Sequence, residues 1–357
     1  MSNDLPLGGS RLIPEGWILY SIDEIKADEK YSCVAGPFGS SISSKYFSET
    51  GVPIIRGKNL RDDLTRFIDQ NFAFVSEDRA KKYLPQHVKA GDIVFTSWGT
   101  IGQVGLIPED GFYSEYIISN KQLKLRVNQK LANNLFVFYY LSSKEGVEHI
   151  RNRAIGSAVP GINLGILKSI KIALPPLSTQ QRIADILSTY DNAIANNNQR
   201  IALLEESIHQ LYKEWFVRLR FPGYESVKVV DGVPEGWKIG CFPNLCSKLI
   251  DGTHDSPKPT EDGYYLVTGK HIVNGFIDFS KCYFISFEEH QKVMKRSHPE
   301  KGDIIFSNIG TLGSIALVDQ DFEFSIKTHI PHLNCHKSVF TDISFNVKNK
   351  NRLILFK

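Results

Sequence analysis

Between Pro176 and Phe221 the apolar residues fall at alternating steps of four and three. One seam position carries Ile183, Tyr190, Asn197, Leu204, Leu211 and Arg218; the other carries Leu187, Ile194, Ile201, Ile208 and Trp215. A pattern held past four heptads predicts a single long helix with a coiled-coil seam. Pro175-Pro176 bars an earlier start, Ser178 with Gln181 has the form of a capping box, and Phe221-Pro222-Gly223 supplies the stop. A helix of about 42 residues would be ~60 Å long, and its stripe needs a partner helix to cover it. Asn197 interrupts the stripe. Either it fixes register against another polar group, or it marks a loose turn within Asn196-Asn197-Asn198.

On both sides of this segment the pattern shortens. Val52–Arg56, Asp92–Ser97 and Gln122–Val127 are β-branched and aromatic runs bounded by Gly, Asn and Asp, and they read as strands. Helical spacing predicts Ser76–Tyr83 and Leu131–Ser142. The pattern also repeats. Pro14-Glu15-Gly16-Trp17 returns as Pro234-Glu235-Gly236-Trp237, and Gly91-Asp92-Ile93-Val94-Phe95-Thr96 as Gly302-Asp303-Ile304-Ile305-Phe306-Ser307. Gly99-Thr100-Ile101-Gly102 returns as Gly310-Thr311-Leu312-Gly313, with a looser echo of Ile55–Asn59 in Val267–His271. Segments recurring in one order at nearly one spacing indicate a tandem duplication. The expected fold class is α/β: duplicated mixed α/β domains joined by a long coiled-coil helix. The expected boundaries are 1–175, 176–222 and 230–357.

The copies differ in extent. After Ser325-Ile326-Lys327 nothing matches Ser157–Gly165 or the heptads, and the remainder is polar and rich in Asn and Lys. The expectation is a C-terminal truncation that removes the second copy's own helix and the end of its domain, with a genuinely different C-terminal end as the alternative.

Composition narrows the classes further. The 357 residues are 42% hydrophobic and 23% charged, with net charge +3, which excludes a disordered chain or a polybasic binder. Any basic surface must be local. No run of about 18 apolar residues exists for a membrane span, and Met1–Ser10 lacks the form of a signal peptide. Cys33, Cys241, Cys246, Cys282 and Cys335 form no CxxC pair, which fits a reducing cytoplasm.

These features resemble the specificity subunit of type I restriction–modification enzymes. The resemblance reaches to about residue 325. It is carried most specifically by Gly156-Ser157-Ala158-Val159-Pro160-Gly161-Ile162-Asn163, by Leu174-Pro175-Pro176-Leu177-Ser178-Thr179-Gln180-Gln181-Arg182-Ile183, and by the heptads that follow. It implies two target-recognition domains that each read one part of a split site in double-stranded DNA. It implies two antiparallel helices that hold them apart and dock methyltransferase subunits. It also implies that methylation, ATP hydrolysis and cleavage, with S-adenosylmethionine, ATP and Mg, belong to methyltransferase and restriction/translocase partners.

The residues themselves offer little catalysis. Gly51–Lys58 and Gly263–Lys270 are one residue too long for a phosphate loop and lack its Ser/Thr, so each reads as a turn beside a strand. Leu174-Pro175-Pro176-Leu177 lacks the amide of an adenine methyltransferase motif. Asp23-Glu24-Ile25-Lys26 reads as a solvated charged helix rather than half of a nuclease motif. His329, His332, Cys335 and His336 are metal-ligand types at close spacing, without a second signature.

For DNA contact the useful residues are cations and amides on glycine-flanked turns. The first copy offers Ser40, Ser44 and Lys45; Arg56, Lys58 and Asn59 around Gly57; and Asn120, Lys121 and Gln122. Trp98 beside Thr100 is either a ring for a base or a core anchor. The second copy offers Thr253, His254, Lys258, Lys270 and His271. Two further readings stay open: a scaffold or decoy that docks partners without reading DNA, and a homodimer that pairs two copies of the Ile183–Arg218 helix.

Overall fold

The computed structural model describes residues 13–156, 159–240, 246–307 and 312–327, with strands at His332–Cys335, Ile343–Ser344 and Leu353–Leu355. The chain divides into two compact units, 1–199 and 200–357.

In the first unit, β1 (Ile18–Ser21) leads directly into α1 (Ile22–Ile25). Next come β2 (Cys33–Ala35), β3 (Val52–Ile55), β4 (Ala73–Val75), α2 (Glu77–Ala80) and β5 (His87–Val88). Then follow β6 (Ile93–Thr96), β7 (Val104–Leu106), β8 (Tyr116–Ile118) and β9 (Gln122–Leu125). The unit is completed by α3 (Asn134–Ser142), α4 (Lys144–Arg151), α5 (Leu164–Ser169) and β10 (Lys171–Leu174). One four-stranded sheet has the order β2-β9-β6-β7 and the other β4-β3-β8-β5, while β10 pairs antiparallel with β1.

The two sheets lie face to face, and this explains their apolar runs. Ile93 and Phe95 join the core under α3 with Phe136, Val137 and Leu141, whereas Val94 between them joins Ile55, Ile118 and Tyr116. The next face out, with Ile54, Ile117 and Val52, buries Ile42. Strands covered on both faces lose the polar alternation of a half-exposed sheet. Each fully buried Ile or Phe contributes about 1.5–3 kcal/mol.

The Gly-Asp start of β6 is a tight turn with Gly91 at φ +82°. Asp92 is fully buried and accepts from Arg126 Nε at 2.7 Å, Arg126 Nη2 at 2.8 Å and the Lys89 amide at 3.1 Å. Asp303 repeats the turn bond, accepting the Glu300 amide at 3.0 Å. The predicted helix over Ser76–Tyr83 is α only to Ala80. It then tightens to a 3₁₀ turn over Lys81–Gln86, which holds Pro85 and a non-helical Tyr83. The helix predicted from Leu131 begins at Asn134, because Asn133 caps it by accepting the Phe136 amide.

The heptad segment is one continuous helix, α6 (Leu177–Tyr212), with a π turn over Lys213–Val217. Its start differs from the capping-box expectation. The amides of Thr179 and Gln180 donate to the Pro176 carbonyl, and the Gln181 side chain is engaged by Asn133 and Asp185. Pro176 sits where a cap belongs and Gln180 is drawn inward, so Ser178 lies inside the first turn. A capping box does form at α1, where Ser21 and Glu24 bond reciprocally. The charges of Asp23 and Lys26 there pair with each other at the surface.

The second unit opens with the hairpin of β11 (Val229–Val230) and β12 (Val233–Pro234), followed by β13 (Lys238–Gly240). Next are β14 (Cys246–Ile250), β15 (Tyr264–Val267), the hairpin of β16 (Ile272–Val273) and β17 (Phe276–Ile277), β18 (Tyr283–Ile285) and α7 (Phe287–Arg296). Last come β19 (Ile304–Phe306), β20 (Ile315–Leu317), β21 (Ser325–Ile326), β22 (His332–Cys335), β23 (Ile343–Ser344) and β24 (Leu353–Leu355).

The pairing repeats the first unit. β14-β22-β19-β20 matches β2-β9-β6-β7, the parallel pair β15–β21 matches β3–β8, and β13–β24 matches β1–β10. By register, Leu333 stands on β19 where Leu125 stands on β6. The tail that matches nothing in sequence therefore supplies a sheet strand, because backbone pairing needs the extended conformation more than particular side chains. Within this unit Trp237, 8% exposed, packs on Phe216 and Phe221 with ring centroids 6.0 and 5.0 Å apart.

Candidate nucleic-acid interface

Four loops of the first unit leave β2, β3, β6 and β8 at one edge and are stitched together there. The Ser119 amide donates to the Ile55 carbonyl at 3.0 Å, the Ser97 amide to Lys121 at 2.8 Å, and the Gly36 amide to Gln122 at 2.8 Å. Asn120 Nδ2 reaches the Gly39 carbonyl at 2.9 Å. Gln103 ties two more loops: its Oε1 accepts from Thr96 and Thr100, each at 2.9 Å, and its Nε2 donates to the Leu60 carbonyl at 3.2 Å. Glycine is required at position 36, where a Cβ would lie 1.9 Å from the Ser119 carbonyl oxygen.

This edge gathers residues that sequence alone leaves scattered. Ser40, Lys58, Thr100, Asn120 and Lys121 are exposed there, and Ser44 and Lys45 are exposed further along the loop that leaves β2, where the Lys45 ammonium lies 4.7 Å from the Tyr46 ring. Arg56 is half-buried, its guanidinium 5.5 Å from the Phe47 ring. Trp98 is 41% exposed and lies across Gly161, where a Cβ would meet its ring at 2.3 Å. The Pro160 carbonyl accepts the Gly99 amide at 3.2 Å and the Ser97 carbonyl accepts the Ile162 amide at 2.8 Å, so the Gly156–Asn163 motif backs the tryptophan. Ser157 and Ala158 lie outside the described residues.

Four candidates do not present their side chains. Asn59 is fully buried: its Oδ1 accepts the Arg56 amide at 3.1 Å, and its Nδ2 donates to the Ile68 and Gln70 carbonyls at 3.0 and 3.1 Å. His271 is its counterpart, buried, with Nδ1 accepting the Thr268 amide at 3.0 Å. Burial, with Lys270 beside it, lowers the His271 pKa and favours the neutral ring. Gln122 is 1% exposed and accepts from Ser119 Oγ. Thr253, 4% exposed, accepts the Asp255 amide at 3.2 Å. Short amide, imidazole and hydroxyl groups beside glycine turns satisfy backbone donors as readily as bases. His254, Lys258 and Lys270 remain exposed.

Sequence reasoning missed Phe38. It is 93% exposed on the same edge, with its carbonyl held by Ser41 Oγ at 2.7 Å. A Cβ at Gly252 would lie 2.4 Å from the Lys327 carbonyl oxygen, as one at Gly36 would from that of Ser119, so His254 occupies the position equivalent to Phe38. The available signal was the Gly36-Pro37-Phe38-Gly39 turn, which places an aromatic ring where no core can cover it. Lys124 is lost to the surface instead. It is 2% exposed, donates to the Pro85 and His87 carbonyls at 2.9 and 2.7 Å, and is pushed down to about 8 by burial.

Along α6, Ile183 packs partly against the first unit's core. Leu187, Tyr190, Ile194, Ile201, Leu204, Ile208, Leu211 and Trp215 are exposed, as is Asn197 between them. Among the described residues no His, Cys, Asp and Glu group is placed to hold a metal. His329 and His336 lie outside the described residues, and only the backbone of His332 and Cys335 is described. No described helix is long and apolar enough to cross a membrane.

Residues 38–206 match the pattern of the type I restriction modification DNA specificity domain. The type I restriction enzyme MjaIX specificity subunit of Methanocaldococcus jannaschii is 24% identical over 343 residues, which cover 89% of this chain and 72% of that subunit. Residues 38–206 are thus similar to the DNA specificity domain of type I restriction–modification systems. A second relative, the EcoBI specificity subunit of Escherichia coli, is 21% identical across 92% of this chain and 68% of its own length. The MjaVIII specificity subunit of M. jannaschii is 33% identical over 124 residues, 34% of this chain and 29% of that subunit. The fold is shared with the crystal structure of a type I system S subunit from M. genitalium, with TM-score 0.54 at 15% identity, covering 94% of this chain and 76% of that one. The family's matched segment takes in most of the stitched edge and the first part of the exposed seam.

Proposed function

We propose that this chain is the DNA specificity subunit of a type I restriction–modification complex, with the stitched edge of the first unit reading one part of a split site in double-stranded DNA. The observation that carries the reading is the convergence of Lys58, Lys121, Asn120, Phe38 and Trp98 on one braced edge, with Lys45 on the same loop as Phe38. The cations serve phosphates; the amide and the two rings serve bases. The equivalent edge of the second unit, with His254, Lys258 and Lys270, reads the other part. The exposed seam of α6 supports docking of methyltransferase subunits, and through them a restriction/translocase subunit. S-adenosylmethionine, ATP and Mg belong to those partners, and this chain performs no catalysis of its own. The same seam supports self-pairing of two copies when no other helix covers it. Light scattering tests that arm, and a strict monomer at micromolar concentration would remove it.

Selection from random duplex DNA by the chain with its methyltransferase subunits tests the main reading. The expected result is a two-part motif with an unread gap. Recovery of unselected sequence together with intact subunit binding would point to a scaffold that does not read DNA.

A further inference from the structure

The first turns of α6 are fastened to the first unit at two separated points. Gln180, 1% exposed, accepts the Asn133 amide at 2.9 Å and donates to the Leu131 and Pro175 carbonyls at 3.1 and 2.8 Å. Ala184, one turn on, is fully buried. Further along, Asp191 Oδ2 accepts Tyr139 Oη at 2.6 Å and Arg66 Nε at 3.1 Å, while Arg66 Nη2 donates to Tyr139 Oη at 2.9 Å. Every position from 192 to 211 is then exposed, so Asp191 is the last shielded residue before that run. Gln180, Ala184, Ser188 and Asp191 share one helix face; Leu187, Tyr190 and Ile194 share the adjoining one, roughly a quarter of a turn away. The fastening therefore leaves the seam free.

Arg66 also links the helix to the reading edge. It lies in the segment after the Gly57–Asn59 turn that carries Lys58. Asn59 holds that segment through the Ile68 and Gln70 carbonyls, and the Arg66 carbonyl accepts the Leu106 amide at 2.8 Å. Burial, reinforced by the Asp191 carboxylate, pushes the Tyr139 hydroxyl up to about 12, so it stays protonated and able to donate.

We propose that Arg66, Tyr139 and Asp191 are positioning residues that fix the angle at which α6 leaves the first recognition unit, and with it the gap length the complex accepts. The proposal rests on the split-site reading above. Its physics is that of a lever. Pins at Gln180 and Asp191 stand ~16 Å apart at 1.5 Å per residue. A displacement of about 0.5 Å at one pin turns the axis by roughly 2°. With only Gln180 and Ala184 left, the arm is ~6 Å and the same displacement gives roughly 5°. Over the ~30 Å of the exposed run this becomes about 2.5 Å, against a rise of about 3.4 Å per base pair.

Asp191→Asn and Tyr139→Phe test it in the full chain, with helix content followed by circular dichroism to confirm folding. Spin labels on non-native azide side chains at Lys89 and Asn198 report the helix angle by pulsed dipolar spectroscopy. The distance distribution is expected to broaden about two-fold in each variant. In the complex with methyltransferase subunits, the preference for the cognate gap over one lengthened by a base pair is expected to fall about five-fold or more, with cognate affinity within about three-fold of the parent. An unchanged distribution, or unchanged gap selectivity, in folded variants overturns the proposal. A parent complex with no gap preference would overturn the split-site reading instead, and the label distribution would still test the fastening.

Discussion

The two units agree where the backbone sets the terms and differ where the solvent does. At Gly51 (φ +127°) and Gly263 (φ +130°) a Cβ would lie 2.2 and 2.3 Å from a carbonyl oxygen, those of Val75 and Ile285. Gly36 and Gly252 repeat the relation with Ser119 and Lys327. Asn59 and His271 differ chemically yet accept the same turn amide, three residues back. At the exposed edge, by contrast, Phe38 answers to His254. A duplicated fold keeps its steric requirements and frees the side chains that its close-packed backbone does not touch, as the proposed reading of a different sequence by each unit requires.

The largest effect is expected from the glycines. Gly36→Val forces a carbonyl aside and should cost about 3 kcal/mol or more, as should Gly252→Val; chemical denaturation of each variant checks this. A loss in one unit alone would break the equivalence of the two. Next come the turn caps: Asn59→Ala and His271→Ala should each cost about 1–3 kcal/mol, because each strands a buried amide. Asn59→Ala should cost more, since it releases two further carbonyls.

Smaller in free energy but sharper in meaning is the basic edge. Replacing Lys45, Lys58 and Lys121 with Ala should weaken duplex binding across all sequences and lower the salt slope by about 1 for each phosphate that is no longer neutralised. Replacing Lys130, exposed elsewhere on the unit, should leave the slope unchanged.

A further expected effect is a pH dependence that belongs to one unit only. Lys124 titrates near 8 in the folded chain against 10.5 for a free lysine. Between those values the unfolded chain binds more protons, so its contribution makes stability rise with pH from about 8 to 10.5 and level off above. At the same register the second unit has His332, and Lys124→Met should abolish this rise. An unaltered pH profile in that variant would assign the slope elsewhere.

Much of this architecture was legible in the sequence. The heptads define α6, and the Gly-Asp repeats locate β6 and β19, because periodicity and turn chemistry are local signals. The start of α6 was misread, since the inward turn of Gln180 depends on Leu131 and Asn133, nearly fifty residues earlier. β22 was invisible because a strand completing a sheet is chosen by its neighbours. The loops were identified as candidates, but exposure was not: Asn59 and Lys58 are adjacent in sequence, yet one is buried and the other is in solvent. The triangle of Arg66, Tyr139 and Asp191 spans 125 positions and leaves no local trace.

Hydroxyl-radical footprinting of the chain with its methyltransferase subunits on the selected DNA tests the central claim most directly. Two protected tracts flanking an open gap are expected, and the Lys45/Lys58/Lys121 variant should lose one tract while keeping the other. Loss of both tracts together, or of neither, would contradict the assignment of one half of the site to this edge.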